Sequence, residues 1–447
     1  MKDEKEPLEQ KQNSEEEEYS FLQEIIKDEA GDQAKWKHDV LRRIQLGLIF
    51  GLVACFTFFA CKPWVEKRFE EDPTEVTIPQ DEQQEEEQTQ QEEEQVQEQK
   101  TVLTTETYQE MLNNLKQVSG EVRKSVVEIQ GAVTEEEFSK DQEDKESGFK
   151  KDEEFKNMFH KFLKYISQSI SGMIVADNGQ ELLILAGELP VKDAKIIRVT
   201  FSGDSQCDAI LKSRDAGLGL CVYAVQRKNI ADDVWAQIET ATLGGSKVVS
   251  EGDTVIAVGK LYGCDTIAGY GVIESGENYL DKADGQYQTI YTDVAGDISG
   301  SGVLVNIRGE VIGIINTSVR TDDQTNKISG YGISDIKDVI ELLSNGKNVP
   351  YLGVSGVEVS SEMQGQGIPQ GVYVKEVDAG SPAMAAGIQS GDIITNIADT
   401  DIINLLGYHN TLMKQNVGDK ILVRGKRQGT GGEYVDIDFG GTVGYKQ

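Results

Sequence analysis

The chain reads as a mainly β protein of closed or sandwiched sheets, followed by a separate smaller unit and preceded by one membrane span and an acidic linker. Three observations carry this reading. The second half is a succession of short apolar runs divided by turns, and it holds most of the 46 Gly; many short strands with Gly turns are the signature of barrels and sandwiches. Residues 44–61 (IQLGLIFGLVACFTFFAC) carry no charge. Residues 81–99 (DEQQEEEQTQQEEEQVQEQ) are dominated by Glu and Gln. The 44 Lys and Arg face 77 Asp and Glu, for a formal charge of −33 in 447 residues. Long-range repulsion at that charge argues against nucleic acid and against anionic headgroups as partners. Of the five Cys, Cys55 and Cys61 lie in the apolar run, and Cys207, Cys221 and Cys264 are scattered. They form no CxxC or Cys/His cluster, so no metal and no cofactor is expected; the scattered three allow one disulfide or, the favoured reading, buried free thiols.

In chain order, residues 1–43 form an acidic tail, with one short amphipathic pattern at Phe21, Leu22, Ile25 and Ile26. The run at 44–61 reaches, with its Leu41 flank, the roughly 20 residues that cross a hydrocarbon core. A signal peptide is the alternative. It is set aside because the preceding segment is long and acidic and no small-x-small cleavage site follows. Flanking Lys and Arg bias the tail slightly toward the cytoplasm, which puts the β-rich half outside it. Residues 62–105 have little apolar surface to offset ordering entropy and read as a disordered charged spacer, with a helical stalk as runner-up.

Tyr108, Met111, Leu112, Leu115 and Val118 recur at helical spacing. A first strand follows at Ser125–Ile129, then an acidic loop at Thr134–Glu154. Two apolar runs around Asp177-Asn178-Gly179 form a hairpin. Strands are expected at Ile196–Phe201, Ala209–Leu211, Leu220–Val225, Lys247–Val249, Thr254–Val258 and Ile267–Ile273. The stretch 292–306 (TDVAGDISGSGVLVN) sets a small-residue loop before a strand, a turn at Arg308-Gly309 and a second strand at Val311–Ile315. Such a loop can converge backbone N–H groups on one point beside a Ser hydroxyl. A short helix is expected at Ser334–Leu343.

That stretch resembles the nucleophile segment of HtrA-type trypsin-like serine proteases, in which TDAA is followed by GNSGGPLVN. Lys124–Val127 matches the family's opening KSVV. The resemblance implies two six-stranded barrels over roughly 121–320, in a protease-fold domain at 106–345. Residues 350–441 resemble the PDZ domain of the same family: Ser381-Pro382-Ala383, Ala386-Gly387-Ile388 and Gly391-Asp392-Ile393-Ile394 match its SPA…AGL..GD.I pattern. A helix is expected near Asn404–Lys414. The family's habit of trimerising implies a homotrimer.

The resemblance also implies a triad, and the sequence departs from it. Ser301 keeps the offset of the nucleophile, with Ser299 as the alternative. Leu189 stands where the family's LTNNHVV has His, and Gly219 where DLAVLKV has Asp. Only three His exist in the chain, His38, His160 and His409, and none falls in the motif. A Ser without a base is a weak nucleophile; Lys260 is the one substitute base considered. Asp293 and Asp297 read as loop-structuring residues. In the PDZ unit, Tyr351, Leu352, Gly353 and Val354 match the family's YLGV-like loop, whose backbone amides hold a C-terminal carboxylate while the peptide adds to a sheet edge. Leu405, Leu406 and Leu412 favour an apolar C-terminal residue, and His409 reads as exposed and without a role. The function expected is an inactive, membrane-anchored, extracytoplasmic HtrA-like protein that binds peptides, protein C-termini or unfolded proteins as adaptor, sensor or holdase. The alternative is an active serine endopeptidase of protein quality control with a non-standard base. A purely architectural anchor is the third.

Overall fold

A computed structural model describes residues 57, 73–81, 104–133, 169–191, 194–263, 265–319 and 326–446. The tail, the apolar span except Thr57, the Glu/Gln run from residue 82, the acidic loop from Thr134, and His38, His160 and Cys264 lie outside these residues. Among the described residues no helix is long and apolar enough to cross a membrane.

Helix α1 (Thr105–Val122) starts at Thr104, whose hydroxyl oxygen accepts the Thr107 N–H at 3.2 Å. Its apolar stripe is only half used. Leu115 and Val118 pack on the core, while Tyr108, Met111 and Leu112 are exposed. The first barrel follows: β1 (Val126–Ala132), β2 (Ser169–Asp177), β3 (Glu181–Gly187), β4 (Ile196–Thr200), β5 (Gln206–Asp215) and β6 (Leu220–Gln226), closed in the order β1-β2-β3-β6-β5-β4. The β2–β3 turn is shaped by Asn178, whose side-chain oxygen accepts the amides of Gln180 and Glu181 at 3.0 and 2.7 Å. The second barrel comprises β7 (Thr254–Lys260), β8 (Ile267–Lys282), β9 (Gly285–Ala295), β10 (Ser301–Val305), β11 (Val311–Asn316) and β12 (Lys327–Gly332), closed as β10-β11-β12-β9-β8-β7. The two expected six-stranded barrels are therefore present.

Strand alternation builds two kinds of core. Leu182 and Ile184 of β3 face the first barrel's interior, whereas Leu183 and Leu185 face the second barrel. Val258 and Val303 of the second barrel join them, with Ile333, Val339 and Ile340 from the segment ending in α2 (Lys337–Ser344). The expected strand at Lys247–Val249 is instead a turn, with Val248 73% exposed: two adjacent Val without alternation give no buried face. Cys207 and Cys221 are free and buried, as expected; burial pushes the Cys221 thiol up to about 11.

The PDZ unit has its own core, including Val354, Val374, Ile394, Tyr408 and Leu412. Its strands β13 (Val354–Glu358), β14 (Val372–Val377), β15 (Ile393–Ile397), β16 (Thr400–Asp401), β17 (Lys420–Gln428) and β18 (Tyr434–Thr442) form a sheet ordered β13-β14-β15-β17-β18, with β16 on β15. Strand β13 is therefore an edge. Helix α3 (Leu405–Met413) is capped by Asn404, whose side-chain oxygen accepts the Gly407 N–H at 2.7 Å. The unit runs past residue 441, because Gly444 bridges Tyr351.

One expectation is corrected. Residues 73–81 fall inside the spacer at 62–105, yet Pro73–Asp81 is an ordered extended strap. Val76 and Ile78 are buried in the core between the barrels. Asn345 clips the strap by accepting the Val76 N–H at 2.8 Å and donating to the Val76 carbonyl at 2.7 Å. Glu341 accepts the Ile78 N–H at 2.8 Å. Asp81 pairs with Lys337, whose side chain is 5% exposed. Two apolar residues at period two suffice to hold a short strap when the fold supplies partners for its backbone. Truncating a buried Ile typically costs about 2–5 kcal/mol. Ile78→Ala should therefore lower stability by roughly 2 kcal/mol in denaturant unfolding followed by tryptophan fluorescence. An unchanged midpoint, as in a free linker, would contradict the strap.

Candidate functional site

Two places in the fold carry the residues singled out by sequence: the cleft between the barrels and the loop that opens the PDZ unit. In the cleft, β9 ends at Ala295 and a loop of five residues leads into β10. Asp297 organises that loop. Its carboxylate accepts the Ser299 N–H at 2.8 Å and the Ser299 hydroxyl at 2.6 Å, and its carbonyl accepts the Gly300 N–H at 3.1 Å. The two consecutive amides of Ser299 and Gly300 are thus spent inside the loop. Asp293 does not structure the loop: it lies within β9, and its carboxylate accepts the Val272 N–H of β8 at 2.6 Å.

Ser301 is the first residue of β10, paired with Lys260 of β7 and Asn316 of β11. Its hydroxyl oxygen accepts the Ser171 N–H from the first barrel at 2.9 Å. Ser171 in turn accepts the Lys260 N–H at 3.0 Å. The Lys260 ammonium, 3% exposed, donates to the Glu128 carboxylate and the Ser169 hydroxyl, both at 2.6 Å. Ser301 and Lys260 therefore belong to a polar bolt joining the barrels. Beside them β7 and β10 nearly touch: a Cβ on Gly302 (φ +133°) would run into the Val258 carbonyl, so only glycine fits.

Leu189 and Gly219 lie at one end of the first barrel, where Gly187 of β3 pairs with Leu220 of β6. Leu189 is half-buried against the barrel core. Gly219 sits at φ +67° in the β5–β6 turn. Asp215 shapes that turn by accepting the Leu218 and Gly217 amides at 2.9 and 3.3 Å, and its burial raises its carboxyl above the ordinary value. Asn316, opposite Ser301, donates to the Leu218 carbonyl at 3.4 Å, which links the β5–β6 turn to the start of β10. His409, in the PDZ helix, is the one His among the described residues.

The PDZ loop is the better-formed site. Tyr351 is fixed by paired backbone bonds to Gly444 and by its hydroxyl, which donates to Asp378 at 2.7 Å. The Leu352 carbonyl accepts from Ala383, and the Gly353 carbonyl from Asp378, each at 2.9 Å. Gly353 has φ +88°, and a Cβ there would strike Ser381, which again leaves only glycine. So held, the amides of Leu352, Gly353 and Val354 converge on one carboxylate, at 2.7, 2.7 and 3.0 Å. The carboxylate is Asp284, in the β8–β9 turn of the second barrel. The Tyr408 hydroxyl of α3 adds a fourth donor at 2.6 Å. The Asp284 N–H donates to the Val354 carbonyl at 2.7 Å, and its carbonyl lies 2.9 Å from His409 Nδ1. Asp284 is 5% exposed at φ +64°, a left-handed conformation that Asp tolerates better than most residues. Burial raises its carboxyl above the ordinary value, against the pull of the four donors.

Sequence reasoning missed Asp284. The only signal was the Ala283-Asp284-Gly285 turn. His409, expected to be exposed and idle, is half-buried against this hairpin, with its ring 5.8 Å from that of Tyr287.

Comparison with known proteins agrees with this layout. The model of the trypsin-like peptidase domain matches residues 170–314, and that of the PDZ domain matches residues 350–435. The chain is 27% identical over 287 residues to the serine protease Do-like HtrA of Lactococcus lactis subsp. cremoris, covering 59% of this chain and 69% of that one. It is 30% identical over 283 residues to the serine protease Do-like HtrB of Bacillus subtilis, covering 58% and 59%. Over its barrels and PDZ unit the chain is similar to HtrA-type serine proteases. Among solved structures, a serine endoprotease from Yersinia pestis is 20% identical, covering 74% of this chain and 98% of that one, with a TM-score of 0.46. Against the HtrA motif GNSGGPLVN the cleft loop is one residue short. Aligned from Thr292, the family's Ser falls on Ser301; aligned back from Leu304-Val305-Asn306, it falls on Gly300.

The bolt gives a stability prediction. Removing one partner of a buried ion pair typically costs about 3–5 kcal/mol, whereas replacing both by apolar residues can be near neutral. Lys260→Ala should destabilise the barrels by roughly 3 kcal/mol, and Lys260→Met with Glu128→Leu should recover most of it. Denaturant unfolding measures both. Equal stability of Lys260→Ala and wild type would remove the bolt from the account.

Proposed function

We propose that this protein is a proteolytically inactive HtrA homologue whose PDZ unit binds peptides and protein C-termini, serving as an adaptor, sensor or holdase for unfolded chains. In this reading residues 44–61 anchor it in the membrane, with the barrels and PDZ unit outside the cytoplasm, and copies assemble as trimers. The observation that carries the reading is the convergence of three consecutive loop amides on a single carboxylate. Backbone amides so aimed favour an anion over water, and an edge strand beside them lets a peptide add to the sheet. Inactivity is supported by the cleft: Leu189 and Gly219 replace the proton acceptor and its orienting acid, the Ser301 hydroxyl is engaged by the first barrel, and the loop amides are turned inward. Losing members of such a unit costs orders of magnitude in rate.

A fluorophosphonate probe should leave the full chain unlabelled under conditions that label an active serine protease, and denatured casein should remain intact. Labelling at Ser301 that disappears in Ser301→Ala would establish instead the endopeptidase with a non-standard base.

A further inference from the structure

We propose that the PDZ carboxylate site is occupied in cis: Asp284, at the tip of the β8–β9 hairpin, is an internal stand-in for a peptide C-terminus, and ligands bind by displacing it. The inference rests on the reading of the PDZ unit as a peptide binder and adds how that site is regulated. Its ground is that the tip satisfies the requirements of a C-terminal ligand atom by atom. The carboxylate oxygens take the three amides of Leu352, Gly353 and Val354. The Asp284 N–H bonds the Val354 carbonyl on the open edge of β13, the contact a strand added there would make. On the other flank Tyr408 and His409 of α3 hold the carboxylate and the Asp284 carbonyl. Gly285 follows without a side chain, and a Cβ there would come within 2.9 Å of His409 Nδ1. Lys375 of β14 pairs with Asp281 of the same hairpin at 3.4 Å.

The mimic is incomplete in one respect that lets a true ligand compete. A C-terminal residue carries a side chain as well as its carboxylate, and Asp284 uses its side chain as the carboxylate. The space beside it, lined by Tyr351, Leu412 and Met413 together with the charged Asp215, Lys282 and Lys446, is left as a cavity. A peptide with an apolar last residue would fill that cavity as well as replace the four bonds, and burial of that side chain is the gain the hairpin lacks. A site open only part of the time binds with an apparent affinity reduced by the open fraction.

The test uses the full chain, with Asp284→Ala and Asp284→Asn. The Asn variant keeps the size and the left-handed backbone but offers donors where acceptors are needed. The probe is a pool of decapeptides with randomised last four residues and free carboxylates, with the same pool as C-terminal amides for control. Both variants should bind the free-acid pool about tenfold or more tightly than wild type, and no protein should bind the amide pool. In ligand-free protein, the amides of residues 352–354 should exchange hydrogen faster in the variants than in wild type. Equal binding of the free-acid pool by wild type and variants would overturn cis occupancy and leave the peptide-binding reading standing. Faster exchange in the variants with no peptide bound by any protein would overturn the peptide-binding reading and, with it, displacement. Unchanged exchange would overturn the contact itself.

Discussion

A carboxylate buried at 5% exposure has to find its donors inside the protein, and the four that hold Asp284 dictate much of the surrounding geometry. Three come from consecutive residues and require a loop whose amides point the same way. That loop is possible because Gly353 has a positive φ and because Tyr351 is pinned on both faces. The fourth, Tyr408, brings the PDZ helix to the hairpin. One side chain of the second barrel therefore ties together the start of the PDZ sheet, its edge strand and its helix. The positive φ of Asp284 is the local strain that this arrangement sustains, of order 1–3 kcal/mol.

The cleft between the barrels shows the other use of polar groups in the same fold. Strands alternate, so each barrel wall has an outer face that must meet the other barrel. Most of that meeting is apolar, through Leu183, Val258 and Val303. At one point it is polar: Ser169 and Ser171 of one barrel engage Lys260 and Ser301 of the other. Every member is satisfied there, which is the condition for a buried polar network to hold. A hydroxyl in that network is a structural acceptor. The position that sequence alone picks out as a nucleophile thus takes part in this network, through the strand register that begins with it.

How much of this was legible in the sequence depended on the range of the signal. The Asp177-Asn178-Gly179 turn, the helix near Asn404–Lys414 and most of the Gly-punctuated strands are local, and each fell where the residues said. The assignment of Leu189 and Gly219 to the triad positions is an expectation from motif register alone. Three things were not legible. Val76 and Ile78 sit in a segment whose composition is acidic, and the partners that hold it, Asn345, Glu341 and Lys337, lie far along the chain. Lys247–Val249 has strand-forming residues, but the chain turns there and leaves Val248 exposed. Asp284 looks like any turn Asp next to Gly, and its role depends on a loop some seventy residues away. Local chemistry is written locally; a residue whose partner is long-range carries no mark of it.

The account turns on the bond between Asp284 and the PDZ unit, and a double-mutant cycle of Asp284→Asn and Tyr408→Phe in the full chain measures it most directly. Tyr408→Phe removes one hydroxyl that has no other hydrogen-bonding partner described here. Unfolding free energies at neutral pH should show a coupling of about 1–3 kcal/mol between the two sites. Additivity within about 0.5 kcal/mol would mean that the carboxylate does not sit among those donors in solution, and would contradict the account.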